Sequence, residues 1–260
     1  MNNHEIDYKL FGEEMQCVEI ELDPQEAVIA EPGSFMMMTD GIQMQTLFGD
    51  GNETGFMNKL FSAGKRLLTG ENLFMTVYSN TSNQKRQVSF AAPYAGKIIP
   101  MDLSKLGNKI ICQKDSFLCA AKGVSVGIEF QKKLGTGLFG GEGFIMQKLE
   151  GDGLAFVHSG GHVIEKQLQP SELLKVDTGC IVGFTSDVNY DIQFVGGIKN
   201  TLFGGEGIFY ATLRGPGKVW IQTLPISRLA SRILSFGRGS GKEEGSILGG
   251  LGNLFDGDGI

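Results

Sequence analysis

The chain of 260 residues has only four cysteines, Cys17, Cys112, Cys119 and Cys180, with no CxxC pair and no histidine at zinc-finger spacing. That argues against a disulfide framework or zinc ribbon, and reads as reduced, mostly buried thiols of an intracellular protein. With only three histidines, His4, His158 and His162, acid–base pairs have few candidates. No apolar run approaches the roughly 20 residues that cross a bilayer. The opening stretch, Met1 to Glu14, lacks the basic and apolar regions of a signal peptide and the arginine-rich character of a transit sequence. The expected location is therefore cytoplasmic. Basic residues are also in deficit, 23 against 29 acidic, for a net charge of −6. A nucleic-acid partner is not expected, because phosphate neutralisation needs a basic surface.

What is abundant is glycine: 39 residues, in short clusters that suit tight turns between short strands. The clusters recur. LFGGEG occupies Leu138–Gly143 and again Leu202–Gly207, an offset of 64. At that offset Val124, Val126, Ile128 and Phe130 fall on Val188, Tyr190, Ile192 and Phe194, each set alternating with mostly polar residues. Period-two alternation is the mark of a strand with one buried face. Leu149–Gly153 falls on Leu213–Gly217, and Ala155-Phe156-Val157 on Val219-Trp220-Ile221. A third, more diverged copy lies upstream at an offset of 82, where Ser34–Ile42 matches Ser116–Val124.

The spacing predicts an all-β chain of three internal repeats, at about 17–95, 96–160 and 161–225, within one domain spanning 1–225. Three such units, each too small to bury both faces, are expected to pack around a shared core as a β-sandwich or closed prism with pseudo-threefold symmetry. The upstream copy carries insertions. Met57, Leu60, Phe61, Leu67 and Leu68 recur at helical spacing and predict a short helix over 57–68. Ser79 to Gln84 is polar and predicts an exposed hairpin tip. Met36, Met37 and Met38 are expected in a strand and in the core, with an exposed, adaptable binding surface as the alternative. After Pro225 a helix is expected over 228–236, within a segment 226–236, with Ser227 as N-cap and Gly237 as stop. Residues 237–260 are expected to form a glycine-rich tail.

No catalytic, cofactor-binding or metal-binding residue is expected from the motifs. Gly135–Gly140 formally matches GxGxxG, but a dinucleotide loop must enter a helix, and Phe144–Leu149 reads as a strand. Gly237–Lys242 lacks phosphate-loop spacing and has Glu243 where a hydroxyl is needed. His158 and His162 flank Ser159-Gly160-Gly161, which favours a turn over a helical ligand pair. The Gly-Glu pairs Gly70-Glu71, Gly141-Glu142 and Gly205-Glu206 occupy equivalent places in the three copies, with no role assigned. Three carboxylates converging on a hard cation is one reading, and each Glu bonded within its own turn is the other.

Several long motifs appear in order: LFGGEGF, QKLEGDG, FVHSGG, VDTGCIVGF, VGGIKNTLFGGEG and GPGKVWIQTLP, with FAAPYAGKIIPMDL upstream. Over roughly residues 15–225 the chain resembles the altered inheritance of mitochondria (mitochondrial biogenesis) family, and it fits a bacterial member. That family is similar in fold to the tryptophan RNA-binding attenuation protein, TRAP, so the resemblance implies a TRAP-like β arrangement. The resemblance implies no catalytic residue. The expected function is a non-enzymatic scaffold or interaction protein, oligomeric, with a protein partner or self-association and a peripheral contact at the inner face of a membrane. The alternative is a small-molecule or metal-binding β module that uses the Gly-Glu loops.

Overall fold

The computed structural model describes residues 3, 5–48, 74–132, 144–194 and 209–239. The helix expected over 57–68, the three Gly-Glu pairs and most of the glycine-rich tail lie outside them. The described residues are predominantly β. A first strand, β1 (Asp7–Phe11), precedes three runs of six. The first run is β2 (Cys17–Leu22), β3 (Ala27–Ala30), β4 (Phe35–Met38), β5 (Ile42–Phe48), β6 (Phe74–Asn80) and β7 (Arg86–Ala91). The second is β8 (Gly96–Asp102), β9 (Lys109–Gln113), β10 (Phe117–Ala121), β11 (Ser125–Lys132), β12 (Phe144–Glu150) and β13 (Leu154–Gly160). The third is β14 (Val163–Leu168), β15 (Leu173–Asp177), β16 (Ile181–Thr185), β17 (Asn189–Phe194), β18 (Phe209–Arg214) and β19 (Gly217–Gln222), followed by α1 (Ile226–Gly239).

Pairing follows one scheme in each run. The first strand and the third both pair with the sixth: β2 and β4 with β7, β8 and β10 with β13, β14 and β16 with β19. The second and the fourth both pair with the fifth: β3 and β5 with β6, β9 and β11 with β12, β15 and β17 with β18. The register keeps the sequence offset, since Lys109 opposes Glu150 and Leu173, 64 residues on, opposes Arg214. Val126, Ile128 and Phe130 lie on β11, and Tyr190 and Ile192 on β17, in corresponding strands.

Successive runs are joined by pairing a second-place strand to the next run's third-place strand: β3 to β10 and β9 to β16. The result is four sheets, ordered β1-β2-β7-β4, β5-β6-β3-β10-β13-β8, β11-β12-β9-β16-β19-β14 and β15-β18-β17. Strand alternation sends successive side chains to opposite faces, so an inner sheet can feed two cores. Val28 and Ala30 of β3 and Phe156 of β13 meet Val18, Ile20, Val88 and Phe90 of the first sheet. Ala27, Ile29 and Val157, from the same strands, meet Ile110, Val182 and Trp220 of the third sheet. The third sheet's other face, with Ile111, Met146 and Phe184, meets Val176, Ile192 and Leu213 of the fourth. The sheets therefore stack in sequence, with three core clusters where one shared core was expected. The cause is that both inner sheets are apolar on both faces.

Two local expectations differ from what is seen. Residues 81–85 form a corner between sheets, because β6 and β7 pair with different partners. Asn80 holds that corner: its Nδ2 donates to the Leu22 and Gln84 carbonyls at 2.9 and 2.8 Å, and its Oδ1 accepts from the Ser82 amide at 3.0 Å. The C-terminal helix begins at Ile226 and runs through Gly237 to Gly239. The Arg228 and Leu229 amides both donate to the Pro225 carbonyl, which leaves Ser227 inside the first turn. One glycine costs a helix only about 1 kcal/mol and does not by itself stop it.

Candidate functional site

His158 and Ser159 are successive residues of β13, and their side chains diverge. His158 is 1% exposed, and neither ring nitrogen meets a partner in good hydrogen-bond geometry. It meets the Tyr94 ring in a T-shaped contact at 4.5 Å between centroids. Burial drives the imidazole down to about 4, with the Tyr94 backbone pulling weakly the other way. Ser159 Oγ donates to the Lys97 carbonyl at 3.3 Å, not to His158. His162 is exposed beyond the turn at Gly161, and its amide donates to Thr223 Oγ1 at 2.9 Å. These three residues do not assemble a nucleophile and a base. Gly160 is required by packing, since a Cβ there would run into the Leu224 carbonyl.

The strand edges are more informative. Fourth-place strands end sheets in every run, as β5, β11 and β17 do, and so do the first-place strands β8 and β14, whereas β2 is flanked by β1. Third-place strands are interior in two runs: β10 and β16 are buried along their whole lengths. β4 holds the same place but ends its sheet, and Phe35, Met36, Met37 and Met38 are 38, 52, 50 and 39% exposed. Second-place strands β3 and β9 are interior, whereas β15 ends its sheet and leaves Leu173 51% exposed. The methionines expected in the core are thus in a strand whose outer neighbour is missing among the described residues. Only Phe35 finds a ring partner, stacking on Tyr78 at 5.5 Å.

Residues 8–224 match the model of the family described as Mitochondrial biogenesis AIM24. The chain belongs to the Mitochondrial biogenesis AIM24 family. An uncharacterised protein of Streptococcus pyogenes serotype M6 is 27% identical over 218 residues, covering 83% of this chain and 84% of that one. A crystal structure of a Streptococcus pyogenes protein from a structural genomics programme superposes with a TM-score of 0.71 at 23% identity, over 89% of this chain and 100% of that one. At that identity the likeness speaks for the fold alone.

In this AIM24 chain the glycine-rich Gly135–Gly140 and the pairs Gly70-Glu71, Gly141-Glu142 and Gly205-Glu206 all lie outside the described residues. Among the described residues no three His, Cys, Asp or Glu side chains are grouped as metal ligands. A groove of about 790 Å³ is lined by Glu5, Asp7, Asp23, Glu26, Asp102 and Asp152 with no basic residue. Asp7 and Asp23 are matched by Lys85 at 3.9 and 3.2 Å, and Asp102 by Lys105 at 2.7 Å. The four cysteines are unbridged, with Cys112 and Cys119 buried. Burial pushes the Cys112 thiol up to about 12, so it is no nucleophile at neutral pH.

Sequence reasoning missed the open edges. Phe35-Met-Met-Met38 matches a wholly apolar, buried strand in each later copy, so composition does not distinguish it and its exposure follows only from the pairing order. No helix among the described residues is long and apolar enough to cross a membrane, which says nothing about strands.

Proposed function

We propose that this protein is a non-enzymatic scaffold built from three tandem six-strand units in a TRAP-like arrangement, which binds protein through the edge of β4. The observation that carries this reading is the exposure of Phe35–Met38 where the corresponding strands are buried. Edge strands of soluble proteins are normally shielded by charge, proline or a bulge that turns the edge away. β4 has neither charge nor proline, and its irregularity at Phe35/Met37 leaves all four side chains exposed. The separation of His158, Ser159 and His162 supports a non-enzymatic role.

A second contact is supported by α1, which has no acidic residue and exposes Ile233 and Leu234 at 63 and 64% beside Arg228 and Arg232. A basic amphipathic helix of this kind suits the surface of an anionic bilayer, and a peripheral place at the inner face of a membrane follows. One experiment tests both contacts. A photo-reactive amino acid is introduced in living cells at Met36, at Ile233, or at Asn83 in the exposed corner as control. Protein adducts at Met36, lipid adducts at Ile233 and neither at Asn83 are expected. A Met36 probe that yields no more protein adducts than Asn83 would remove the scaffold reading.

A further inference from the structure

We propose that β4 of one copy pairs with β15 of a second copy, so that the protein assembles head to tail by completing a sheet. This rests on the reading of β4 as the interaction edge and names its occupant. The partner is identified by the fold's own pairing order. Wherever a third-place strand has an outer neighbour, that neighbour is a second-place strand of the preceding run: β3 beside β10, β9 beside β16. Among the described residues no run precedes that of β4 and none follows that of β15, so each lacks there the type of strand that the other is. Joined, they give the order β17-β18-β15-β4-β7-β2-β1, which is the order of the two inner sheets with β1 added at the end.

The register is fixed by the two internal junctions. Cys119 opposes Ala30 and Ala120 opposes Ile29; Gly183 opposes Cys112 and Phe184 opposes Ile111. Carried over at the offsets of 82 and 64, Met37 opposes Val176, Met38 opposes Lys175 and Thr39 opposes Leu174. Two hydrogen bonds transfer as well. The Glu31 amide donates to the Leu118 carbonyl and the Lys122 amide to the Ala27 carbonyl, both at 3.0 Å. Their counterparts run from the Asp177 amide to the Met36 carbonyl and from the Asp40 amide to the Leu173 carbonyl.

A single chain does not make this junction itself. β4 and β15 lie in the first and last layers of the stack, with two full sheets between them. At about 10 Å per layer the ends are separated by about 30 Å. The contact joins unlike surfaces, so repetition either closes a ring or extends a filament.

The test uses full-length chains carrying Met38→Cys or Lys175→Cys, mixed and treated with a short bis-maleimide. The expected result is a two-chain product whose linked peptides contain positions 38 and 175, absent from either variant alone and from the parent with its native cysteines. No such product, or a one-chain link in the double variant, would overturn the proposal. Protein adducts at Met36 to other proteins, together with no 38–175 link, would leave the scaffold reading standing and remove only this partner.

Discussion

Leu118→Ala lowers the unfolding free energy by about 2–5 kcal/mol, while Met36→Ala lowers it by less than about 1 kcal/mol. The two residues hold the same place in successive copies, 82 positions apart. Leu118 is 1% exposed, packed between the first two sheets among Val28, Tyr78 and Phe156. Removing its three outer carbons forfeits transfer energy and leaves a cavity that strands on both sides prevent from collapsing. Met36 is 52% exposed and already loses little to water. Urea unfolding of dilute protein measures both. Equal losses would mean that β4 is covered after all.

Between pH 4 and 7 the buried His158 and the half-buried Glu31 act in opposite directions, and removing either exposes a swing of up to about 3 kcal/mol. Burial lowers His158 from 6.5 to about 4. Its unfolded form binds a proton that the folded form refuses, so this contribution is complete above pH 6.5 and is lost as pH falls towards 4. Burial raises Glu31 from 4.5 to about 7, with Asp115 adding to the shift and Lys114 opposing it. Its folded form holds a proton that the unfolded form releases, so this contribution is present below pH 4.5 and is lost as pH rises through 7. Each shift corresponds to about 3 kcal/mol at most, at 1.36 kcal/mol per unit. The wild type is expected to change little in stability from pH 4.5 to 6.5. Glu31→Gln is expected to gain stability steadily with rising pH, and His158→Leu to lose it. Parallel slopes in the two variants would contradict both assignments.

The β class and the strand positions were legible because alternation and turn glycines are local signals. Val126, Ile128 and Phe130 show their strand without any knowledge of partners. Sheet order was not legible, because it depends on which strand meets which across more than a hundred residues. Without it, Ser79–Gln84 reads as a hairpin tip, since polar tips and sheet-to-sheet corners share one composition. Met36–Met38 read as core for the same reason: an apolar strand does not reveal that it ends its sheet among the described residues. The layered stack was hidden in Val28 and Ile29, adjacent apolar residues that feed different cores. Such a pair signals a strand buried on both faces, and that signal was available in the sequence. His158 was legible as a residue to examine but not as a buried neutral ring, which depends on Tyr94 arriving from another connection.

The most direct test is the native mass spectrum of the wild type beside Met38→Pro. The Thr39 amide donates to the Gln87 carbonyl on β7, so alternation turns the Met38 amide outward, and proline there removes a donor that the single chain does not use. Complexes of two or more copies for the wild type are predicted, and for the variant single copies that melt like the wild type diluted to a single copy. A wild type that stays a single copy at every concentration, or a variant that assembles as well as the parent, would contradict an edge that joins one copy to the next.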